Sequence, residues 1–180
     1  MSGISPEKYT FHQNQKKFKA GKYLIVDPCY VIGGDPFWQA LCNYSFPSGE
    51  ENRDPIYVTI GEYEIFCWGT AYGDGCYPVS DGSNSGNAGV DAGMLSVVPM
   101  EFIEENNLDF GKENGVIVTL EKNSIPYVND GNLTLGNITA ITKEEEDEEY
   151  CSQCGDYGNY LNWDGICRDC EIENEENEDE

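Results

Sequence analysis

Four cysteines near the end of the chain follow the pattern C-x2-C-x12-C-x2-C, and no other feature constrains the fold of a segment as strongly. They are Cys151, Cys154, Cys167 and Cys170. The spacing is typical of two knuckles whose four thiolates bind one tetrahedral Zn²⁺. A segment of about 20 residues is too short to fold by burial alone, so the metal would drive its folding. The sequence predicts a zinc ribbon at 150–170 with one structural Zn²⁺; an iron site of the rubredoxin type and disulfides are the alternatives.

The role of this ribbon is open between two interpretations. Four thiolates leave no coordination position for a catalytic water, so we do not expect chemistry at the metal. The ribbon either only stabilises the end of the chain or presents its aromatic side chains, Tyr157, Tyr160 and Trp163, to a partner protein.

The formal net charge of −24 in 180 residues is unevenly distributed. Residues 143–180 contain 16 acids and 2 bases, which predicts an acidic linker at 143–149 and a disordered acidic tail at 171–180. Phosphate backbones would be repelled, so direct binding of nucleic acid is not expected. The charge favours a protein partner with a basic face, although solubility alone explains an acidic protein equally well.

The sequence predicts a cytoplasmic protein without a membrane segment. No stretch approaches 18 uninterrupted apolar residues, and the N-terminus lacks the apolar region of a signal peptide. In a reducing cytosol the eight cysteines are expected to be thiols or metal ligands rather than disulfides.

Residues 21–142 are predicted to form a β-rich α+β core domain after a loose basic lead-in at 1–20. The pattern favours a mainly antiparallel sheet, or a small sandwich or barrel, with roughly eight strands and about two short helices. The helices are expected from Asp35 to before Pro47 and after Pro99. An extended piece is expected at 29–32 and a mobile loop at 81–89. Further expected strands are at 22–26, 56–60, 63–68, 94–98, 116–120, 125–128, 133–135 and 138–141.

The single histidine, His12, lies in the polar start of the chain and is expected to be an exposed bystander. Because catalytic Ser-His-Asp and Cys-His sites need a better-placed imidazole, most of them are excluded, and enzymatic activity is not expected. Cys29, Cys42, Cys67 and Cys76 lack ligand spacing, and small buried hydrophobes are the favoured interpretation of all four. Cys76 follows a glycine turn that could expose a reactive thiol.

Three aspartates, Asp27, Asp74 and Asp91, each lie at an expected strand end beside proline or glycine. Turn and hydrogen-bonding roles explain them well. The other interpretation is that they converge, with Cys76, on a ligand or ion site, because convergent carboxylates can hold a divalent cation or do acid–base work. That arrangement would make the chain a small-ligand-binding or ion-binding protein or a hydrolase.

Several short motifs in residues 22–98 carry a resemblance to a known family. These motifs are VDPCYVIGG, Trp38, GTAYGDGCYPV and GVDAGMLSVV, in that order. Together they resemble a family of small uncharacterised proteins found largely in tailed bacteriophages. The resemblance implies a compact β-rich fold and no established activity, and the ribbon and acidic tail are additions to the family pattern. It also implies a viral accessory protein that acts on host machinery in the host cytoplasm.

Overall fold

The computed structural model describes residues 9–32, 35–45 and 55–143, together with Cys154. The chain divides into two compact units, residues 1–143 and residues 144–180. The predicted linker, ribbon and acidic tail lie outside the described residues, with the exceptions of Lys143, the first residue of the linker, and Cys154. Residues 9–143 of the first unit contain all the helices and strands described below.

Eleven strands and three α-helices form the described part of this unit. The strands are β1 Tyr9–His12, β2 Gly21–Val26, β3 Ile56–Ile60, β4 Tyr63–Gly69, β5 Gly75–Ser80, β6 Ser85–Val90, β7 Met94–Pro99, β8 Val116–Leu120, β9 Tyr127–Asn129, β10 Asn132–Leu135 and β11 Ile138–Ala140. The helices are α1 Asp35–Ser45, α2 Met100–Glu105 and α3 Asp109–Asn114, and a 3-10 helix spans Pro28–Tyr30.

The strands form two antiparallel sheets. One has six strands in the order β1-β3-β4-β7-β2-β8, and the other has five in the order β6-β5-β11-β10-β9. Every strand pair is antiparallel. The prediction of a β-rich, mainly antiparallel fold with few short helices is therefore confirmed.

The central strands β4, β7 and β2 of the six-stranded sheet are largely buried on both faces, which explains their continuous apolar sequences. Along β2, Tyr23 and Ile25 point into a core shared with the five-stranded sheet, whereas Leu24 and Val26 point into a second core. The core between the sheets contains the fully buried Trp68. The second core lies on the side of α1 and α2 and includes Leu41, Phe102 and Ile103.

The prediction of a loose lead-in at 1–20 is wrong for the described residues 9–20. Tyr9–His12 forms β1, which pairs with β3 in the register Tyr9–Ile60 to His12–Tyr57. Phe18 is buried and exchanges two backbone hydrogen bonds with Ser124, with N–O distances of 2.8 and 3.0 Å. An edge strand buries only part of its side chains, so a largely polar sequence can still form one.

Two other expectations are wrong. Residues 81–89 are not a mobile loop, because β6 at Ser85–Val90 pairs with β5 along its whole length. Residues 29–32 are not extended: a 3-10 helix starts at Pro28, and the Asp27 side chain caps it. The short helix α3 was not predicted.

Both predicted helices and the predicted hairpins are present. α1 runs from Asp35 to Ser45, and α2 begins directly after Pro99. β3 and β4 form the expected hairpin. The turn between β9 and β10 has positive φ at both central residues, 49° at Asp130 and 82° at Gly131, as a two-residue hairpin of type I′ requires.

Candidate functional site

Asp27 lies at the end of β2, and its carboxylate is completely buried. Oδ1 accepts a hydrogen bond from the backbone N–H of Cys29 at 2.8 Å. Oδ2 accepts from the backbone N–H groups of Asp91 and Ala92, both at 2.8 Å. The carboxylate thus joins the 3-10 helix to the β6–β7 loop, and its oxygens are occupied by this structural role.

Cys29, which follows Asp27 in the 3-10 helix, is held as a neutral thiol. Burial raises the pKa of its thiol most, and a hydrogen bond with Asp27 raises it further. The negative charges of Asp27, Asp91 and Asp74 act in the same direction. A thiol in this environment is not a nucleophile, because the thiolate is the reactive form.

Tyr30 connects the 3-10 helix to the side chain of Asp91. Its pKa is raised by burial first, and then by a hydrogen bond with the Asp91 carboxylate and by that carboxylate's charge. The Tyr30 ring meets Phe110 of α3 edge to face, with ring centroids 5.2 Å apart and planes at 89°. Phe110 remains 60% exposed, so an aromatic surface lies beside the carboxylate.

Asp74 is exposed in the β4–β5 loop, and Thr70 fixes this loop against the β6–β7 loop. The Thr70 hydroxyl donates to the Gly73 carbonyl at 2.6 Å, and the Thr70 N–H donates to the Gly93 carbonyl at 3.0 Å. The Tyr77 hydroxyl also donates to the Gly73 carbonyl, at 3.0 Å. These bonds hold Asp74 on the same end of the molecule as Asp91.

We call this group the acidic end, and it consists of Asp27, Cys29, Tyr30, Asp74 and Asp91. Its two exposed carboxylates, Asp74 and Asp91, have no Lys, Arg or His nitrogen within 4.0 Å among the described residues, whose ion pairs involve other acids. No described cation is ion-paired with either carboxylate, so the acidic end would attract a positively charged group.

The three aspartates singled out from the sequence do lie in one region, but with different roles. Asp27 is a buried structural anchor, whereas Asp74 and Asp91 face solvent. Within the described ranges, no group of three or more His, Cys, Asp or Glu side chains could hold a metal ion. Cys76, which the sequence grouped with the three aspartates, is exposed on β5. Unlike those aspartates, it does not contribute to the raised pKa of the Cys29 thiol.

Cys29 and Tyr30 were missed as members of the acidic end. The signal available in the sequence was the motif VDPCY, in which both residues directly follow Asp27 and Pro28. An Asp that caps a short helix brings the next residues back toward its own carboxylate. The contact with Asp91 and Asp74 depends on residues far away in the chain, which no local signal reveals.

His12 is not an exposed bystander, contrary to expectation. Its Nε2 lies 2.8 Å from Glu64 Oε1 and 3.1 Å from the Thr59 hydroxyl. The ring stacks on Tyr57 with centroids 5.6 Å apart and planes at 1°. His12 thus ties β1 to β3 and β4.

The other cysteines follow the expectation in part. Cys67 is fully buried, and Cys29 and Cys42 are half-buried. Cys76 is exposed on β5, so its expected burial is wrong. Of the ribbon residues, only Cys154 is described; it lies in a turn and is exposed. The three other ribbon cysteines and the aromatic residues between the two cysteine pairs lie outside the described residues.

The chain matches no protein-family model, no curated protein and no solved structure. Among the residues that the structure describes, no helix is both long enough and apolar enough to cross a membrane.

Proposed function

We propose that this chain is a non-enzymatic accessory protein of the phage type that binds a host protein with a basic face through its acidic surface. The observation that carries this proposal is the acidic end, where Asp74 and Asp91 are exposed and form no ion pair among the described residues. The acidic run at 144–149 and the tail at 171–180 extend the same charge along the chain. Host takeover and counter-defence are the roles that such a protein would serve.

The negative charge supports a binding role in two ways: it speeds the encounter with a positively charged partner, and it attracts that partner in the complex. A large field of one sign steers a partner of opposite sign and fixes its orientation before contact. Tyr30 and Phe110 add an aromatic surface next to Asp91, and aromatic faces attract Lys and Arg side chains. A basic protein surface therefore fits the acidic end better than an uncharged one.

The motifs that suggest a phage protein are the ones that build the acidic end. VDPCY provides Asp27, Cys29 and Tyr30, GDG provides Asp74, and VDAG provides Asp91. This convergence supports the interpretation that the motifs form one surface. The phage origin and the host cytoplasm as location remain part of the proposal.

We also propose that residues 150–170 form a zinc ribbon, with Zn²⁺ held by Cys151, Cys154, Cys167 and Cys170. The donor set supports this assignment, since four thiolates at this spacing suit tetrahedral zinc. Cys154 lies in a turn, as a knuckle requires. The metal would supply folding free energy, and the ribbon would offer Tyr157, Tyr160 and Trp163 as partner contacts.

A ligand-binding or hydrolytic function at the three aspartates has less support. Asp27 is saturated with backbone N–H donors, so only Asp74 and Asp91 could contact a ligand or ion. Cys29 is protonated, and His12 is engaged with Glu64. Neither residue offers a nucleophile or a base at the acidic end.

Capture from a bacterial lysate tests the binding proposal. The wild-type chain should retain a basic protein that about 0.5 M salt releases, because salt screens opposite charges. The double variant Asp74→Asn/Asp91→Asn should retain much less of it. Glu104→Gln/Glu121→Gln removes the same amount of charge from exposed positions elsewhere and should behave as wild type. Retention that is equal for both double variants would contradict a specific role of the acidic end.

A further inference from the structure

Asp27 fixes an aromatic residue and an exposed carboxylate of the acidic end through the backbone. Tyr30 is the last residue of the 3-10 helix, and its N–H donates to the Asp27 carbonyl at 3.1 Å. The buried side chain of Asp27 accepts from the backbone N–H of Asp91 at 2.8 Å. Tyr30 and Asp91 are far apart in the chain, and Asp27 therefore holds both at defined positions on one surface.

Phe110 is held against Tyr30 by the close packing of α3. This helix packs on the 3-10 helix, and an added Cβ at Gly111 would collide with the Val31 side chain, so glycine allows the close approach. The rings of Tyr30 and Phe110 meet edge to face, with centroids 5.2 Å apart. Phe110 is nevertheless 60% exposed. A large apolar ring is thus fixed in position while most of it faces solvent.

Tyr30, Asp91 and Phe110 form what we call the aromatic-acid surface. Tyr30 contacts both other members, because its ring packs on Phe110 and its hydroxyl donates a hydrogen bond to the Asp91 carboxylate. Lys112, the lysine of α3, is ion-paired with Asp109 at 3.5 Å and not with Asp91. The surface therefore presents two aromatic rings beside a carboxylate that forms no ion pair with a described residue.

We propose that the aromatic-acid surface binds an arginine side chain of the partner, with the guanidinium on the Asp91 carboxylate and the side chain across the Tyr30 and Phe110 rings. The inference rests on the proposed function and names the group of the basic partner that is recognised. A guanidinium is planar, so it can stack on an aromatic ring and donate two parallel hydrogen bonds to a carboxylate. The ammonium group of lysine is a compact, strongly hydrated charge that offers neither geometry.

The order already present in the aromatic-acid surface favours this contact. Side chains that are fixed before binding lose little conformational entropy when a partner arrives. A carboxylate has about four acceptor positions, so the Tyr30 hydroxyl leaves Asp91 with acceptors for a guanidinium. The hydrocarbon stem of an arginine can cover the exposed ring of Phe110. Asp74 adds attraction for any cation at the same end, but its charge does not distinguish arginine from lysine.

An NMR titration of the full chain with two blocked peptides, hexa-arginine and hexa-lysine, tests this proposal at about 0.05 M salt. The backbone amide signals of Asp91 and Ala92 are followed, so that peptide bound to the acidic segments 144–149 and 171–180 is not counted. The arginine peptide should reach half of its shift at a concentration at least about threefold below that of the lysine peptide, on the scale of an exposed cation–π contact. The peptides have equal charge, so electrostatic steering alone would make them equivalent.

Exposed aromatic residues provide a matched pair of variants. Phe110→Leu keeps an apolar side chain at a position that is 60% exposed but removes the ring, so it should abolish the preference for the arginine peptide. Tyr127→Leu removes a ring that is 64% exposed on β9 and should leave the preference unchanged. Tyr30→Phe keeps the ring and the charge and removes only the hydroxyl that reaches Asp91. It should weaken binding of the arginine peptide at least about twofold, as loss of one hydrogen bond does.

The outcomes separate this inference from the proposed function. No shift with the arginine peptide, equal responses to both peptides, or a preference that survives both Phe110→Leu and Tyr30→Phe would overturn the assignment of arginine. Salt-sensitive capture of a basic protein would still stand after equal responses, because lysine supplies the same charge. If the arginine peptide is preferred but the lysate yields no basic protein, the host-protein proposal fails while the arginine contact is supported.

Discussion

The Asp81 carboxylate accepts a hydrogen bond from the backbone N–H of Thr119 at 2.7 Å and so joins the two sheets. Thr119 lies on β8, the edge of the six-stranded sheet, whereas Asp81 follows β5 of the other sheet. The same carboxylate accepts from the N–H groups of Ser83 at 2.8 Å and Asn84 at 2.6 Å. The buried Asp81 side chain therefore fixes the turn between β5 and β6 and accepts a hydrogen bond from a backbone N–H group of the edge strand β8.

Replacing Asp81 with Ala should destabilise the core by about 3 kcal/mol, since hydrogen bonds to charged groups contribute about 1.5–3 kcal/mol each and their losses overlap. The free energy of unfolding in denaturant is the measurement. Asp109→Ala, at an exposed helix position, is the control and should change stability by less than about 0.5 kcal/mol. Equal effects of the two substitutions would contradict the role of Asp81.

The acid stability of the core should also depend on Asp81. Hydrogen bonds from the Asn84 and Thr119 backbone N–H groups lower the pKa of its carboxyl to about 2. A lowered pKa in the folded state means that the stabilisation is complete above the unfolded value of about 4 and is lost as the pH falls toward 2. Between pH 5 and about 2, Asp81→Asn should show a shallower loss of stability than wild type.

Gly131 should tolerate no side chain. Its φ is +82°, and an added Cβ would lie 2.5 Å from both the Ala71 N atom and the Thr142 hydroxyl oxygen. Gly82 has a similar φ of +87° but has nothing within 4 Å of such a Cβ. Gly82→Ala should cost about 1–2 kcal/mol for the left-handed conformation alone. Gly131→Ala should cost clearly more, and thermal unfolding of the two variants measures the difference.

The ribbon assignment predicts one tightly bound zinc per chain. Elemental analysis should find stoichiometric Zn²⁺ in wild type and little in Cys151→Ser/Cys154→Ser, because two thiolates bind far more weakly than four. Cys76→Ser, at the exposed cysteine of β5, should retain the metal. Chelation should change the fluorescence of Trp163. Absence of a stoichiometric transition metal from the wild-type chain would contradict the zinc ribbon.

The strands that sequence reasoning predicted best are the central strands of the six-stranded sheet. β2, β4 and β7 are apolar on both faces, so their sequences differ clearly from the loops around them. β6 was missed because its sequence, SGNAGV, resembles a loop and becomes a strand only by pairing with β5. Tertiary contacts decide such a segment, and local propensity does not reveal them.

The grouping of the aspartates could be predicted in part. Each of the three lies at an expected strand end beside proline or glycine, which is why the sequence suggested that they converge. Their separate roles could not be predicted, because Asp27 is bound by the N–H of Asp91, 64 residues further along the chain. Burial of Asp27 and exposure of Asp74 follow from this loop packing.

Removing the Asp27 carboxylate should damage the fold rather than only the surface. Asp27→Asn places an amide donor against backbone N–H donors and should cost about 2–4 kcal/mol. Asp74→Asn, at an exposed carboxylate without a described ion pair, should be nearly neutral for stability. Comparison of the two unfolding midpoints checks the division of roles within the acidic end.

The most direct test of the binding account is the affinity of the purified captured partner for paired charge variants, measured by calorimetry at two salt concentrations. Asp74→Asn/Asp91→Asn should bind at least about tenfold more weakly than wild type, and added salt should weaken wild-type binding. Glu104→Gln/Glu121→Gln should bind within about twofold of wild type, since it alters only exposed charge elsewhere. Equal affinity of both double variants, or binding insensitive to salt, would contradict the account.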